Sequence, residues 1–90
     1  MKTKEDVLSI VRKNIRQVKR QLFDRDVFED FEFAEDYGFD LLDMIELSEY
    51  CARDMMIDVS FYDIQISKTV GAFVMLLCER CRAASKPVLV

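Results

Sequence analysis

The chain contains no histidine and no tryptophan, and only one proline and two glycines in ninety residues. Without histidine there is no imidazole base, and no Ser/His or Cys/His pair can activate a nucleophile. A closed zinc site within one chain is out of reach of three cysteines unaided by histidine. Gly38 and Gly71 stand far apart, so there is no glycine-rich phosphate loop. These absences argue against an enzyme and against a bound metal. The shortage of glycine and proline also leaves little for a turn-rich β architecture, and an all-α fold is expected. No apolar run approaches the roughly 20 residues needed to span a membrane. Met1-Lys2-Thr3-Lys4-Glu5-Asp6 lacks the apolar core of a secretory signal. Cys51, Cys78 and Cys81 are odd in number and read as reduced thiols of a cytoplasmic protein.

Half of the residues are apolar (51%) and a third are charged (33%), the balance of a globular rather than a disordered chain. One domain of this length buries roughly 60–65% of its unfolded surface, enough for a core but not for a deep catalytic cleft. The net charge of −4 conceals a segregation. Residues 1–25 carry eight basic and three acidic side chains, residues 26–66 carry thirteen acids and only Arg53, and the remainder is basic again. Such a chain steers a basic partner to its middle, or neutralises that middle with its own first helix.

Thr3 is a natural N-cap, followed by Glu5 and Asp6 at the positive end of a helix. Val7, Val11, Ile15, Val18 and Leu22 then recur every three or four residues, predicting an amphipathic helix of about five turns. Its other faces hold Arg12, Lys13, Arg16, Lys19 and Arg20. No base-reading motif or aromatic pattern accompanies them, so they read as a solvated face and not a nucleic-acid site. Residues 24–40 show no sustained helical period and are expected as a long loop, pinned by Phe28, Phe31, Phe33, Tyr37 and Phe39.

A second helix is predicted from Leu41 to about Asp54, capped by Asp40, with Leu42, Ile45, Cys51 and Met55 facing the core and Leu47 near the edge of that series. Asp43, Glu46 and Glu49 form an acidic stripe beside it, at a repulsive cost of a few tenths of a kcal/mol per pair. A short helical turn is expected over Phe61–Ile66. Ser67 or Thr69 caps a last helix whose core face is Val70, Phe73, Val74, Leu77 and Cys81. The helical domain is expected over residues 1–85, with an apolar tail at 86–90.

Phe33-Ala34-Glu35-Asp36-Tyr37-Gly38, Asp40-Leu41-Leu42 and Leu42-Asp43-Met44-Ile45-Glu46-Leu47 occur in the order of acyl carrier protein motifs. The chain resembles that family without gaps from about Phe33 to Leu77. The resemblance implies a four-helix bundle, three longer helices plus one short, with a long first loop. In that family a serine between Asp and Leu carries phosphopantetheine; here the position is Leu41, which has no oxygen to form the phosphodiester. No cofactor is therefore expected. Neither Ser48 nor Ser60 has the flanking residues of a substitute.

The implied function is an interaction module that lacks the covalent arm and docks biosynthetic enzymes, such as ketosynthases or acyltransferases, through their basic patches. Asp43, Met44, Glu46 and Glu49 are the candidate partner-binding residues, and Leu41 with its neighbours Asp40 and Leu42 marks the degenerate attachment position. The alternatives are a genuine carrier of fatty acid or polyketide biosynthesis with an altered serine, and a small non-covalent acyl or lipid binder. In the last, Met44, Met55, Met56 and Met75 would let the interior open.

Overall fold

Local capping chemistry sets where four of the five described α-helices begin. The computed structural model describes residues 3–22 and 26–85; the expected apolar tail at 86–90 lies outside them. Helix α1 spans Lys4–Val18 and starts at a reciprocal box in which the Asp6 amide donates to the Thr3 hydroxyl and the Thr3 amide donates to the Asp6 carboxylate. It buries Val7, Leu8, Val11, Asn14 and Ile15. The helix is a turn shorter than its apolar stripe predicts. Lys19 leaves helical geometry (φ −118°, ψ 88°), and a 3₁₀ turn at Arg20–Leu22 still delivers Leu22 to the core.

The region expected as an irregular loop contains a short helix, α2, at Phe33–Tyr37. Five residues are too few to show a period in sequence. Gly38 ends it in the left-handed region (φ 69°), where a side chain would be strained. Phe33, Tyr37 and Phe39 are buried, and the Tyr37 hydroxyl accepts from the Phe28 amide and donates to the Asp26 carbonyl. An isolated bridge joins Glu32 to Thr69, tying this segment to the start of the last helix. The Gly71 amide donates to the Glu29 carbonyl at 2.7 Å, and a Cβ on Gly71 would lie 3.0 Å from that oxygen, so this close approach depends on glycine.

Helices α3 (Leu41–Met55), α4 (Phe61–Ile66) and α5 (Val70–Ser85) complete the fold. Asp40 with Asp43, and Ser60 with Asp63, form capping boxes at the first two, while the Thr69 hydroxyl accepts from the Ala72 amide at the third. The described residues thus hold five α-helices and no strand, an all-α domain with one more helix than the sequence suggests. No helix among them is long and apolar enough to cross a membrane. The core gathers Val7, Val11 and Ile15 of α1, Leu47 and Cys51 of α3, and Val70, Phe73, Val74 and Leu77 of α5. Burial pushes the Cys51 thiol up to about 12, so it is protonated at neutral pH.

Three carboxylates tie helix to helix. Asp43 of α3 meets Lys19 just past α1 at 3.0 Å. Asp54 accepts from Asn14 at 3.0 Å and pairs with Lys13 at 3.0 Å. Buried Asp63 of α4 takes two N–H groups of Arg80 of α5, at 2.6 and 3.2 Å. All three carboxyls are held below their ordinary range. For Asp63 the largest cause is Arg80, and for Asp54 it is Asn14 followed by Lys13. For Asp43 burial pulls upward, but the Asp40 backbone N–H and Lys19 outweigh it.

Being more acidic folded than unfolded, these groups contribute stability that is fully present above the unfolded value of about 3.9 and is lost as pH falls through the folded values. Urea midpoints are accordingly expected to be level above about pH 5 and to fall steeply below about pH 4. Asp63→Asn should remove part of that slope. A midpoint that rises on acidification would contradict this assignment.

Candidate docking face

The first turn of α3 presents two leucines to solvent. Leu41 is 51% exposed and Leu42 73%, although the sequence pattern placed Leu42 in the core. Cys51 and Met55 pack inward as the pattern expects and Ile45 is partly buried against the core, but Met44, Leu47 and Ser48 complete the buried face. Ser48 fits there because its hydroxyl donates to the Ile45 carbonyl at 2.8 Å, which satisfies its polar group within the helix. Met44, expected at the partner surface, is only 8% exposed and belongs to the core.

The acidic stripe divides in the same way. Asp43 is half-buried, engaged with Lys19 and with the Asp40 amide, and therefore serves the fold. Asp40, Glu46 and Glu49 are exposed. Glu46 accepts a hydrogen bond from the Tyr50 hydroxyl at 2.9 Å, which raises the pKa of Tyr50, and Arg53 lies 5.2 Å from the Tyr50 ring centroid.

Helix α4 packs against α3 and carries further exposed apolar side chains. Phe61, Tyr62 and Ile66 of α4 are exposed, as is Met56 at the end of α3. Among the described residues, six of the eight exposed large apolar side chains therefore sit on α3, its C-cap or α4. Met56 is also the one non-glycine residue described with positive φ (56°), a position glycine occupies at lower cost. Sequence reasoning missed this α4 contribution, although the Ser60-x-x-Asp63 spacing that starts the helix is legible.

No family model, curated protein or solved structure matches the chain.

Leu41 offers no oxygen, the Ser48 hydroxyl is buried and committed to Ile45, and the Ser60 oxygen accepts the Asp63 amide at 3.1 Å. The methionines expected to open an acyl cavity are split between two environments. Met44 and Met55 pack in the core, while Met56 and Met75 lie on the surface.

Proposed function

We propose that this chain is an acyl-carrier-like interaction module that docks a biosynthetic enzyme through the α3–α4 face, without a covalent arm. The observation that carries this reading is the exposed Leu41–Leu42 pair, set among Asp40, Glu46 and Glu49 at the start of a rigidly capped helix. Adjacent leucines left in water beside the Asp40 cap gain nothing for the core, whereas an apolar centre with an acidic rim suits a partner whose apolar pocket is ringed by arginine and lysine. The family resemblance supplies the class of partner, ketosynthases and acyltransferases with basic docking patches. Leu41 then fills the position from which the arm would emerge.

Each rim contact is exposed and contributes about 0–1 kcal/mol, so the complex should be weak and salt-sensitive. Fluorescence anisotropy of the labelled chain, titrated with a ketosynthase across a salt series, tests this. Glu46→Lys combined with Glu49→Lys should abolish measurable binding while leaving the circular dichroism spectrum intact. Affinity that is indifferent to both the charge reversal and salt would sink the proposal.

A further inference from the structure

On the opposite side of the charge distribution, α1 forms the floor of a groove of about 1070 Å³. Ser9, Arg12, Lys13, Arg16, Gln17 and Arg20 line that floor, and Asp26, Val27 and Phe28 form a wall. We propose that this groove binds an organic di- or triphosphate whose aromatic or apolar group rests on Phe28.

Three observations lead there. The first is how the cations of this region are used. Lys4, Lys13 and Lys19 each reach a carboxylate, on Glu29, Asp54 and Asp43 respectively. The groove arginines are disposed differently. Arg12 gives its Nε–H to the Val27 carbonyl at 3.2 Å, and Arg20 forms no ion pair with any described residue. A chain with seventeen acids to thirteen bases thus leaves Arg12 and Arg20 at this concavity without an ion pair to any described carboxylate.

The second is spacing. Arg12 and Arg16 are one turn apart on one side of α1, about 6 Å along its axis, and Arg20 follows at the next step in the 3₁₀ turn. Like charges so placed repel, and an anion with several charged oxygens can engage more than one of them at once. Arginine's planar fork suits phosphate oxygens, and a phosphate chain engages successive forks where a single carboxylate engages one.

The third is the wall. Phe28 is 46% exposed and packs on Phe31 at 5.1 Å, which fixes the ring while leaving much of it open to a ligand. The volume is at the upper end of the range typical of small-molecule sites. Among the described residues Asp26 is the one carboxylate in the lining and opposes an anion, so its neutralisation should tighten binding.

Calorimetric titration of the full chain with ATP and with inorganic triphosphate, at low and at physiological salt, tests the site. ATP should bind, and should bind at least about fivefold more tightly than triphosphate, the lower end of what stacking on an aromatic ring contributes. Phe28→Ala should erase that margin. Arg16→Gln with Arg20→Gln should weaken ATP at least about tenfold, as expected for lost charge-assisted hydrogen bonds. Arg20→Gln alone, at an exposed position, still decides the matter if the double variant folds poorly. Asp26→Asn should strengthen binding, and Lys68→Gln, outside the groove, should leave it unchanged. No heat from ATP at low salt would overturn the proposal, as would an equal loss in Lys68→Gln. Binding to phosphatidylserine vesicles without binding to ATP would assign the patch to a membrane surface, and polyglutamate outcompeting ATP would assign it to an acidic protein segment. Either result also overturns the proposal.

Discussion

Replacing Phe73 with alanine is expected to remove about 3–5 kcal/mol of folding stability, the usual cost of emptying a buried phenylalanine site. Phe73 is fully buried on α5 and meets Phe33 of α2 edge-on at 5.8 Å; Phe33 in turn meets Phe39 at 5.5 Å. The three rings connect α5 to the segment that leads into α3. Domains of this kind have about 5–15 kcal/mol in all, and such a loss takes a large fraction of it. Urea unfolding should show a much lower midpoint with little change in slope. Phe73→Leu keeps most of the volume and should lose clearly less. A loss for Phe73→Ala below about 1 kcal/mol would mean that the ring does not fill the core as described.

The second large effect concerns binding and leaves the fold alone. Leu41→Ala combined with Leu42→Ala should weaken docking of a partner enzyme by about thirtyfold or more, the threshold at which apolar side chains at the centre of an interface count as dominant. The same variant should unfold at nearly the same urea concentration as the parent, because both side chains face solvent. The contrast between the two readouts separates a docking role from a packing role. Loss of stability matching the loss of binding would place the leucines in the fold instead.

The start of α3 is legible in sequence because its determinants are local. Gly38 ends one helix, Asp40 caps the next and Asp43 closes the box, all within six residues. The inward face of α3 is harder to read. The pattern reads Cys51 and Met55 correctly but takes Leu42 for a core residue in place of Met44, and polar Ser48 on the inward side disguises the rest of the core face. Its hydroxyl is satisfied by the preceding turn, a fact of geometry and not of composition. The engagement of Asp43 by Lys19 joins residues far apart in the chain, so the acidic stripe looks uniform in sequence although only part of it is available to a partner. The groove on α1 escapes sequence reading for the same reason: Phe28 is held beside the basic face of α1 by hydrogen bonds joining Tyr37 to Asp26 and Phe28 and Arg12 to Val27, all distant in sequence. Helix α2 is simply too short to announce itself.

These same features explain the division of charge. The lysines of the first helix and its flanks neutralise chosen acids, which supports one of the two expectations raised by the charge segregation. Asp40, Glu46 and Glu49 remain exposed around Leu41 and Leu42, which leaves room for the other.

The proposed carrier-like face would have an alkyl side chain, Leu41, at its attachment position. Intact-mass measurement of the parent chain and of Leu41→Ser, each co-expressed with a phosphopantetheinyl transferase, tests that most directly. The expected result is an unmodified parent and a serine variant that gains the mass of one phosphopantetheine group. A modified parent, or a serine variant that folds normally yet stays unmodified, would contradict it.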